Sequence, residues 1–224
     1  MPLRKPRRNV SEIVAQFPFV DVIRHEIGGD ETGPAREIVT LECPDWVVVV
    51  PVTEDDRIVA VRQHRHGIDD FSLEFPGGVI DEGESPEVAG AREVREETGY
   101  GEGGLLSLGW SHPNPALQDN HHFMFLARGV RALGPPAFDP GEHCETVLLT
   151  PEQVRSAIAG GQMTHALALL SWLRAEPHID PASRGAAGEE ASSPAALAVL
   201  EEMREQQAAK VIDLARRLRP GLTA

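Results

Sequence analysis

The segment from residue 78 to residue 100 constrains the fold of this chain more than any other part of its sequence. It reads GVIDEGESPEVAGAREVREETGY, so that a loop rich in glycine and acidic residues runs into a helix-forming stretch. Ser85 is suited to cap the start of a helix, Pro86 fits the first helical position, and Gly99 fits the position that commonly follows the last turn. The sequence therefore predicts a loop followed by a helix at 86–98.

The predicted helix carries three glutamates on one face. Glu93, Glu96 and Glu97 are spaced by three and four residues, so their side chains share one side of the helix. Carboxylates this close repel one another unless cations neutralise them, and their hard oxygens suit Mg²⁺ or Mn²⁺, which also bind phosphate groups. A solvated acidic face is the alternative, but the fixed glycine and arginine positions around the glutamates favour a divalent cation site.

The other residues of this helix have structural interpretations. Arg92 is expected to pair with a loop carboxylate such as Glu84 and so to hold the loop against the helix. Val88, Ala91 and Val94 are expected to face the core.

The spacing of this segment resembles the box of the Nudix hydrolases. The pattern G, five residues, E, seven residues, R-E-apolar-x-E-E-x-G is met by Gly78, Glu84, Arg92, Glu93, Glu96, Glu97 and Gly99. The resemblance covers residues 46–175, with a departure at Tyr100, where an aliphatic residue is usual. It implies an α/β fold, the Nudix α/β/α sandwich with a mixed sheet, in which Glu93, Glu96 and Glu97 bind metal. Gly78, Glu84, Arg92 and Gly99 would then be structural residues of the box.

Alternating strands and single helices in the rest of the domain also indicate an α/β fold. The strands are predicted at 46–52, 57–62, 71–75, 105–110, 122–127 and 145–149, and two helices at 151–159 and 164–175.

Composition and patterning divide the chain into four parts. These are an N-terminal arm with strands (1–45), a catalytic domain (46–176), a linker rich in proline, alanine, glycine and serine (177–193), and a C-terminal amphipathic helix (194–224).

The two ends of the chain carry further expectations. In the first part, a mobile basic arm precedes a predicted hairpin of two strands, at 17–23 and 38–41. The resemblance implies that this region forms a homodimer, because related pyrophosphatases exchange N-terminal strands and build the substrate pocket across the interface. The C-terminal helix either packs on its own domain or contacts another subunit.

Two segments before the box resemble those of the ADP-ribose and nucleotide-sugar pyrophosphatases. They are VRQHR at 61–65 and LEFPGG at 73–78. The comparison implies that Gly77 offers its carbonyl oxygen to a metal beside the box glutamates, and that Arg65 and Glu74 contact substrate near the pyrophosphate. A surface arginine and a glutamate at a strand end are the alternatives.

A third segment, GEHCE at 141–145, resembles the G-E-x-x-E loop of the same enzymes, in which the first glutamate helps to activate water. Glu142 is therefore the candidate general base, with Glu96 and Glu97 as the other catalytic residues, and Glu145 would orient groups or bind metal. Asp139 is an alternative to Glu142 as the base.

The irregular segment 111–120 contains two prolines and is predicted to be a binding loop. Its residues Pro113, Asn114 and Asn120 are candidates for substrate contact. Trp46 is a candidate to stack on a base or sugar, although aromatic residues more commonly belong to the core.

The composition excludes several classes of function. With 35 acidic and 21 basic residues, the formal net charge of −14 disfavours nucleic acid as a partner. No apolar run is long enough to cross a membrane. Cys43 and Cys144 are expected to be reduced, and the expected location is the cytoplasm.

These observations predict hydrolysis of the pyrophosphate bond in a nucleoside diphosphate linked to another group, with ADP-ribose and nucleotide sugars as the leading substrates. The products would be a nucleoside monophosphate and a phosphorylated sugar, and the cofactor Mg²⁺ or Mn²⁺. Two alternatives are a non-catalytic sensor that binds nucleotide sugars, and a pyrophosphatase that removes damaged nucleoside triphosphates.

Overall fold

The computed structural model of the chain describes residues 4–138, 143–179 and 194–218, and in the last helix it describes side chains as far as residue 206. The strands are β1 Arg8–Phe17, β2 Val20–Ile27, β3 Arg36–Glu42, β4 Trp46–Thr53, β5 Ile58–Arg65, β6 Asp70–Glu74, β7 Gly77–Val79, β8 Tyr100–Gly101, β9 Gly104–Ser111, β10 His122–Ala132 and β11 Cys144–Leu149. The helices are α1 Pro86–Thr98, α2 Pro151–Ala159, α3 Ala166–Ala175 and α4 Pro194–Leu218, with a short 3₁₀ turn at Glu176–His178.

A separate antiparallel sheet of three strands, in the order β1-β2-β3, precedes the main domain. The predicted hairpin of two strands corresponds to the antiparallel pair β2–β3, but the bounds of its first strand were wrong and β1 was missed. Residues 17–23 do not form one strand, because the chain turns at Pro18 and Phe19 between β1 and β2. The predicted mobile arm is also too long, because from Arg8 onward the chain is paired with β2.

The main sheet has the order β11-β5-β4-β10-β8, with β6, β7 and β9 paired at its sides. Its strands β4 and β10 run parallel, whereas β5 pairs antiparallel with β11 and β6. The sheet is therefore mixed, as predicted. β4 is buried along nearly its whole length, which accounts for its continuous run of valines.

Side chains of β4 alternate between two hydrophobic clusters, one on each face of the sheet. Val47 and Val49 pack with residues of α1, whereas Val48, Val50 and Val52 pack with residues of α2, α3 and α4. Two helical layers on a central sheet make the α/β/α sandwich that the resemblance implied.

Helix α1 has the bounds predicted from the sequence. The Ser85 hydroxyl accepts a hydrogen bond from the Val88 backbone N–H at 3.3 Å, and Gly99 has a φ of 75°, in the left-handed region. The predicted buried face was partly wrong, because Val88 and Ala91 are exposed and only Val94 is buried. The helix packs on the sheet through Ala89, Gly90 and Val94.

The C-terminal region extends the domain core beyond α3. Ile179 is buried in the same cluster as α2 and α3, so the first residues of the expected linker are packed. The remainder of that linker, 180–193, lies outside the described residues.

Helix α4 packs on its own domain. Its residues Ala196, Val199 and Met203 are buried in the cluster, and Glu202 pairs with Arg62 of β5 at 2.8 Å. The C-terminal half of this predicted amphipathic helix has side chains that lie outside the described residues. Among the described helices, none is both long and apolar enough to cross a membrane.

Candidate active site

Arg92 of α1 makes the main ionic contacts between this helix and the loop that precedes it. Its guanidinium donates hydrogen bonds to both carboxylate oxygens of Glu84, at 3.1 and 3.0 Å, and to the backbone carbonyl oxygen of Val79 at 3.0 Å. The hydrogen bond to Glu84 and the charges of neighbouring glutamates raise the pKa of Arg92 above its ordinary value, and the same hydrogen bond lowers the pKa of Glu84. The pairing expected from the sequence is present, and it fastens the loop to the helix.

Gly77 and Gly78 precede this loop, and the structure has no room for a side chain at either position. A Cβ atom on Gly77 would lie 2.2 Å from the carbonyl oxygen of Val47, and one on Gly78 would lie 2.5 Å from Oε1 of Glu93. The backbone N–H of Gly77 donates to Oε2 of Glu97 at 3.0 Å. The box glutamates Glu93 and Glu97 are thus brought directly against the Gly77–Gly78 backbone.

The carboxylates of α1 fit a hard divalent cation by the chemistry of their oxygens. Arg92 Nη1 contacts Glu93 Oε1 at 2.8 Å and Glu96 Oε2 at 3.1 Å. In the described part of the chain, no group of three or more His, Cys, Asp or Glu side chains is arranged to hold a metal ion. The donors nevertheless suit Mg²⁺ or Mn²⁺, and Arg92 contacts one carboxylate oxygen each of Glu93 and Glu96.

A cavity of about 550 Å³ opens beside Gly77 and Gly78. Four of the residues predicted to form the site line it, and they are Trp46, Arg65, Glu74 and Gly77. Most of its remaining wall is apolar, and includes Val48, Ile68, Phe75 and Leu167. Cavities of this size and character commonly bind small organic ligands through a few polar groups.

Glu74 is the most buried charged residue of this cavity, with 2% of its surface exposed. Arg65 donates to both of its carboxylate oxygens, at 2.9 Å from Nε and 2.7 Å from Nη2. Burial by itself would raise the pKa of Glu74, but the hydrogen bonds and charge of Arg65, together with the neighbouring His165, outweigh it and lower the pKa to about 2. Glu74 is therefore ionised at neutral pH.

His165 completes this cluster and was not found from the sequence. Its Nδ1 lies 2.9 Å from Oε2 of Glu74, and its ring lines the cavity from the start of α3. Cys144 was also missed as a neighbour of the box, with Sγ 3.8 Å from Oε1 of Glu97. A histidine just before an apolar helix gives no sequence signal of a contact with residue 74, because that contact depends on the fold.

Glu145 is not brought to the box, and this placement corrects the expectation that it binds metal there. Side chains of a strand alternate between faces. Val147 and Leu149 of β11 face the cluster that contains α4, so Glu145 is on that face, where it lies 3.6 Å from Arg62. Cys144 occupies the face of α1 instead. The candidate base Glu142 and its alternative Asp139 lie outside the described residues.

No residue of the segment 111–120 lines the cavity. Asn120 is buried and donates to the carbonyl oxygen of Pro44 at 2.8 Å, and Leu117 is bonded through its backbone to Leu41 of β3. Of the residues that the structure describes, the cavity wall does not include Pro113, Asn114 or Asn120. In this structure the segment connects the N-terminal sheet to the main domain and does not line the cavity that contains Arg65.

Comparisons with known proteins agree with this geometry. The family model for the NUDIX domain matches residues 44–170. The chain is 34% identical over 122 residues to a CMP-5'-(N-acetyl-N-hydroxy-3-aminopropyl)phosphonate hydrolase of Streptomyces rubellomurinus, covering 54% of this chain and 58% of that one. It is 30% identical over 132 residues to an ADP-ribose pyrophosphatase of Bacillus subtilis, covering 58% of this chain and 70% of that one.

Among solved structures, the chain is similar to a crystal structure of an ADP compounds hydrolase, with a TM-score of 0.71 and 21% identity. That alignment covers 84% of this chain and 98% of the other. At this identity the likeness establishes a shared fold. The sequence matches are more restricted, since the chain spans less than two thirds of the length of the first relative.

Proposed function

The chain belongs to the Nudix family, and on this premise we propose that it is a metal-dependent pyrophosphohydrolase of nucleoside diphosphates linked to another group. ADP-ribose and nucleotide sugars are the proposed substrates. The observation that carries the proposal is the placement of Glu93 and Glu97 against Gly77 and Gly78, at the edge of a cavity that contains the Arg65–Glu74 pair. Carboxylates for a metal and a cavity for an organic group are thus adjacent.

In the proposed reaction, different residues of the chain have different roles. Glu93, Glu96 and Glu97 would hold Mg²⁺ or Mn²⁺, with the carbonyl oxygen of Gly77 as a further donor. Such an ion, when bound, neutralises charge on the diphosphate and lowers the pKa of bound water. Arg65 would contact the substrate near the diphosphate, since its guanidinium is held in place by the buried Glu74.

In the proposed reaction, water attacks one phosphorus atom and the bond from that atom to the bridging oxygen breaks. Glu142 would accept the proton of the attacking water. The products are a nucleoside monophosphate and a phosphorylated sugar. Two relatives are named for nucleotides joined to a further group, ADP-ribose and a CMP-linked phosphonate, which supports a substrate of this general form.

We also propose that the protein is a homodimer through its N-terminal sheet. Four apolar residues of β1, which are Val10, Ile13, Val14 and Phe17, have between 49% and 61% of their surface exposed. Large exposed apolar patches commonly mark interaction surfaces. Light scattering at micromolar concentration should give twice the mass of the chain, and a monomeric mass would refute the proposal.

The cytoplasm is the proposed location. Neither Cys43 nor Cys144 forms a disulfide, which is usual for proteins of a reducing compartment.

The Glu97→Gln variant tests the enzymatic proposal. Glutamine keeps the shape of the side chain and can still accept the hydrogen bond from Gly77, but it removes the charge. With Mg²⁺ and a panel of ADP-ribose, nucleotide sugars and nucleoside triphosphates, the variant should lose at least about a hundredfold in kcat, since it loses a charge that acts in the transition state. Its circular dichroism and melting temperature should stay close to those of the parent chain.

Glu87→Gln is the matched control, because Glu87 is an exposed glutamate of the same helix. It should hydrolyse the preferred compound at the parental rate, whereas excess EDTA should stop hydrolysis by either protein. Near-normal turnover by Glu97→Gln would contradict the assignment. Binding without hydrolysis by the parent chain would favour a sensor, and a preference for triphosphates would favour the sanitising alternative.

A further inference from the structure

The cavity beside the box has a second polar element, at the beginning of α3. Thr164, His165 and Leu167 line the cavity together with Gly77 and Gly78 of the box. His165 occupies the N-cap position of α3, yet its side chain makes no capping hydrogen bond. The imidazole is directed at Glu74 instead, where Nδ1 is buried and lies 2.9 Å from Oε2.

This contact sets the orientation of the imidazole ring. Nδ1 faces the ionised carboxylate of Glu74, which can only accept hydrogen bonds. Nε2 is therefore the ring nitrogen that a ligand in the cavity can meet. The geometry at Nδ1 is too bent for a regular hydrogen bond, so the contact with Glu74 is chiefly electrostatic.

The imidazole also has surface available to a ligand. About a third of the His165 side chain is exposed (34%), although Nδ1 itself is covered. Arg65 uses Nε and Nη2 for Glu74, which leaves Nη1 on the far edge of its guanidinium. One wall of a mainly apolar cavity thus presents polar groups of both His165 and Arg65.

We propose that His165 is a specificity-determining residue that forms a hydrogen bond with a hydroxyl of the sugar carried beyond the diphosphate. The proposal rests on the function proposed above and names the part of the substrate that this end of the cavity recognises. A sugar hydroxyl can both donate and accept, so it can pair with Nε2 of His165 while its oxygen, or that of a neighbouring hydroxyl, accepts from Arg65. A site built for such a hydroxyl discriminates against a compound that lacks it.

Two ligands and three substitutions test the proposal. The ligands are ADP-ribose and an ADP ester of a five-carbon alkyl group, which has no sugar hydroxyls beyond the diphosphate. Binding is measured by calorimetry with EDTA present, so that hydrolysis does not consume the ligand, and kcat and KM are measured separately with Mg²⁺. The parent chain should prefer ADP-ribose by at least about tenfold in both kinds of measurement.

His165→Phe should lower affinity and kcat/KM for ADP-ribose by about tenfold, mainly through KM, and leave the alkyl ester unchanged. His165→Gln places an amide oxygen near the position of Nε2 and should recover the preference for ADP-ribose. His165→Asn can contact Glu74 but is too short to reach the ligand, so it should behave like His165→Phe. A structural role alone would not separate glutamine from asparagine in this way.

His66→Phe is the control, since His66 is exposed and is not one of the cavity's lining residues. Equal loss for both ligands, equal behaviour of His165→Gln and His165→Asn, or no preference in the parent chain would overturn the inference. If the parent binds ADP-ribose through His165 but does not hydrolyse it, the inference stands and the proposed enzymatic function fails.

Discussion

Replacing Glu74 by glutamine gives a quantitative test of the buried ion pair in the cavity. The glutamine resembles a protonated glutamate, so the variant reports the free energy that ionised Glu74 contributes to folding. The pKa of Glu74 falls from an ordinary value of 4.5 to about 2 in the folded chain. Since each pH unit between these values corresponds to about 1.4 kcal/mol, Glu74→Gln should lower the free energy of unfolding by about 3 kcal/mol at neutral pH.

The sign of the pH dependence follows from the lowered pKa. The unfolded chain binds a proton at this carboxyl as the pH falls through 4.5, whereas the folded chain stays ionised until about pH 2. The stabilisation is therefore complete above pH 4.5 and is lost as the pH falls toward the folded value. The difference between parent and variant should decrease to about 2 kcal/mol at a pH of about 3.5.

Urea unfolding followed by tryptophan fluorescence measures this difference directly. Unfolding curves of both proteins are recorded between about pH 7 and pH 3.5, and the remaining titrating groups cancel in the difference. Glu102→Gln is the control, because Glu102 pairs with Arg131 at the surface and more than half of each side chain is exposed. A difference near zero, or one that does not change with pH, would refute the account of Glu74.

Five further substitutions test packing, and two of them are controls. Gly77→Ala should displace β7 and cost several kcal/mol of stability, or prevent folding, whereas Gly104→Ala, where an added Cβ meets nothing within 4 Å, should be tolerated; equal melting temperatures would contradict this. Val94→Ala should destabilise by about 2 kcal/mol in urea unfolding and Val88→Ala by much less, because only Val94 is buried; similar losses would mean that α1 packs through another face. Met203→Ala should cost about 2–4 kcal/mol if α4 packs on its own domain, and unchanged stability would show that it does not.

The parts of the fold that local chemistry determines could be predicted from the sequence. The bounds of α1 follow from Ser85, Pro86 and Gly99, which act within one turn of the helix ends. The strand at β1 was missed for the opposite reason. Nine of its ten residues are exposed, so its side chains carry no pattern of burial, and only pairing with β2 makes it a strand.

The rotation of α1 could not be predicted because a charged residue shares its buried face. Glu97 is 6% exposed and lies on the same side as Val94 and Ala89, so a face defined by hydrophobicity alone is misplaced. The face of the sheet on which Glu145 lies could have been predicted from the sequence. The apolar residues Val147 and Leu149 differ from it by even numbers, and this parity alone places Glu145 on their face of the sheet.

The contact between His165 and Glu74 joins residues 91 positions apart in the chain. No motif in either segment anticipates the other. Such a contact forms only when α3 packs against the sheet, so it leaves no local pattern in the sequence. The box has such a local pattern and could be predicted, whereas the part of the cavity formed by His165 could not.

The contacts of Arg92 also bear on how the proposed metal binding relates to folding. A guanidinium already serves as the internal counterion of Glu84, Glu93 and Glu96, so the chain can complete its fold before any ion arrives. The metal ion of the proposed function would then add positive charge to carboxylates that Arg92 already neutralises in part. A chelator should therefore stop the proposed hydrolysis without unfolding the chain, and returning the ion should restore hydrolysis without a refolding step.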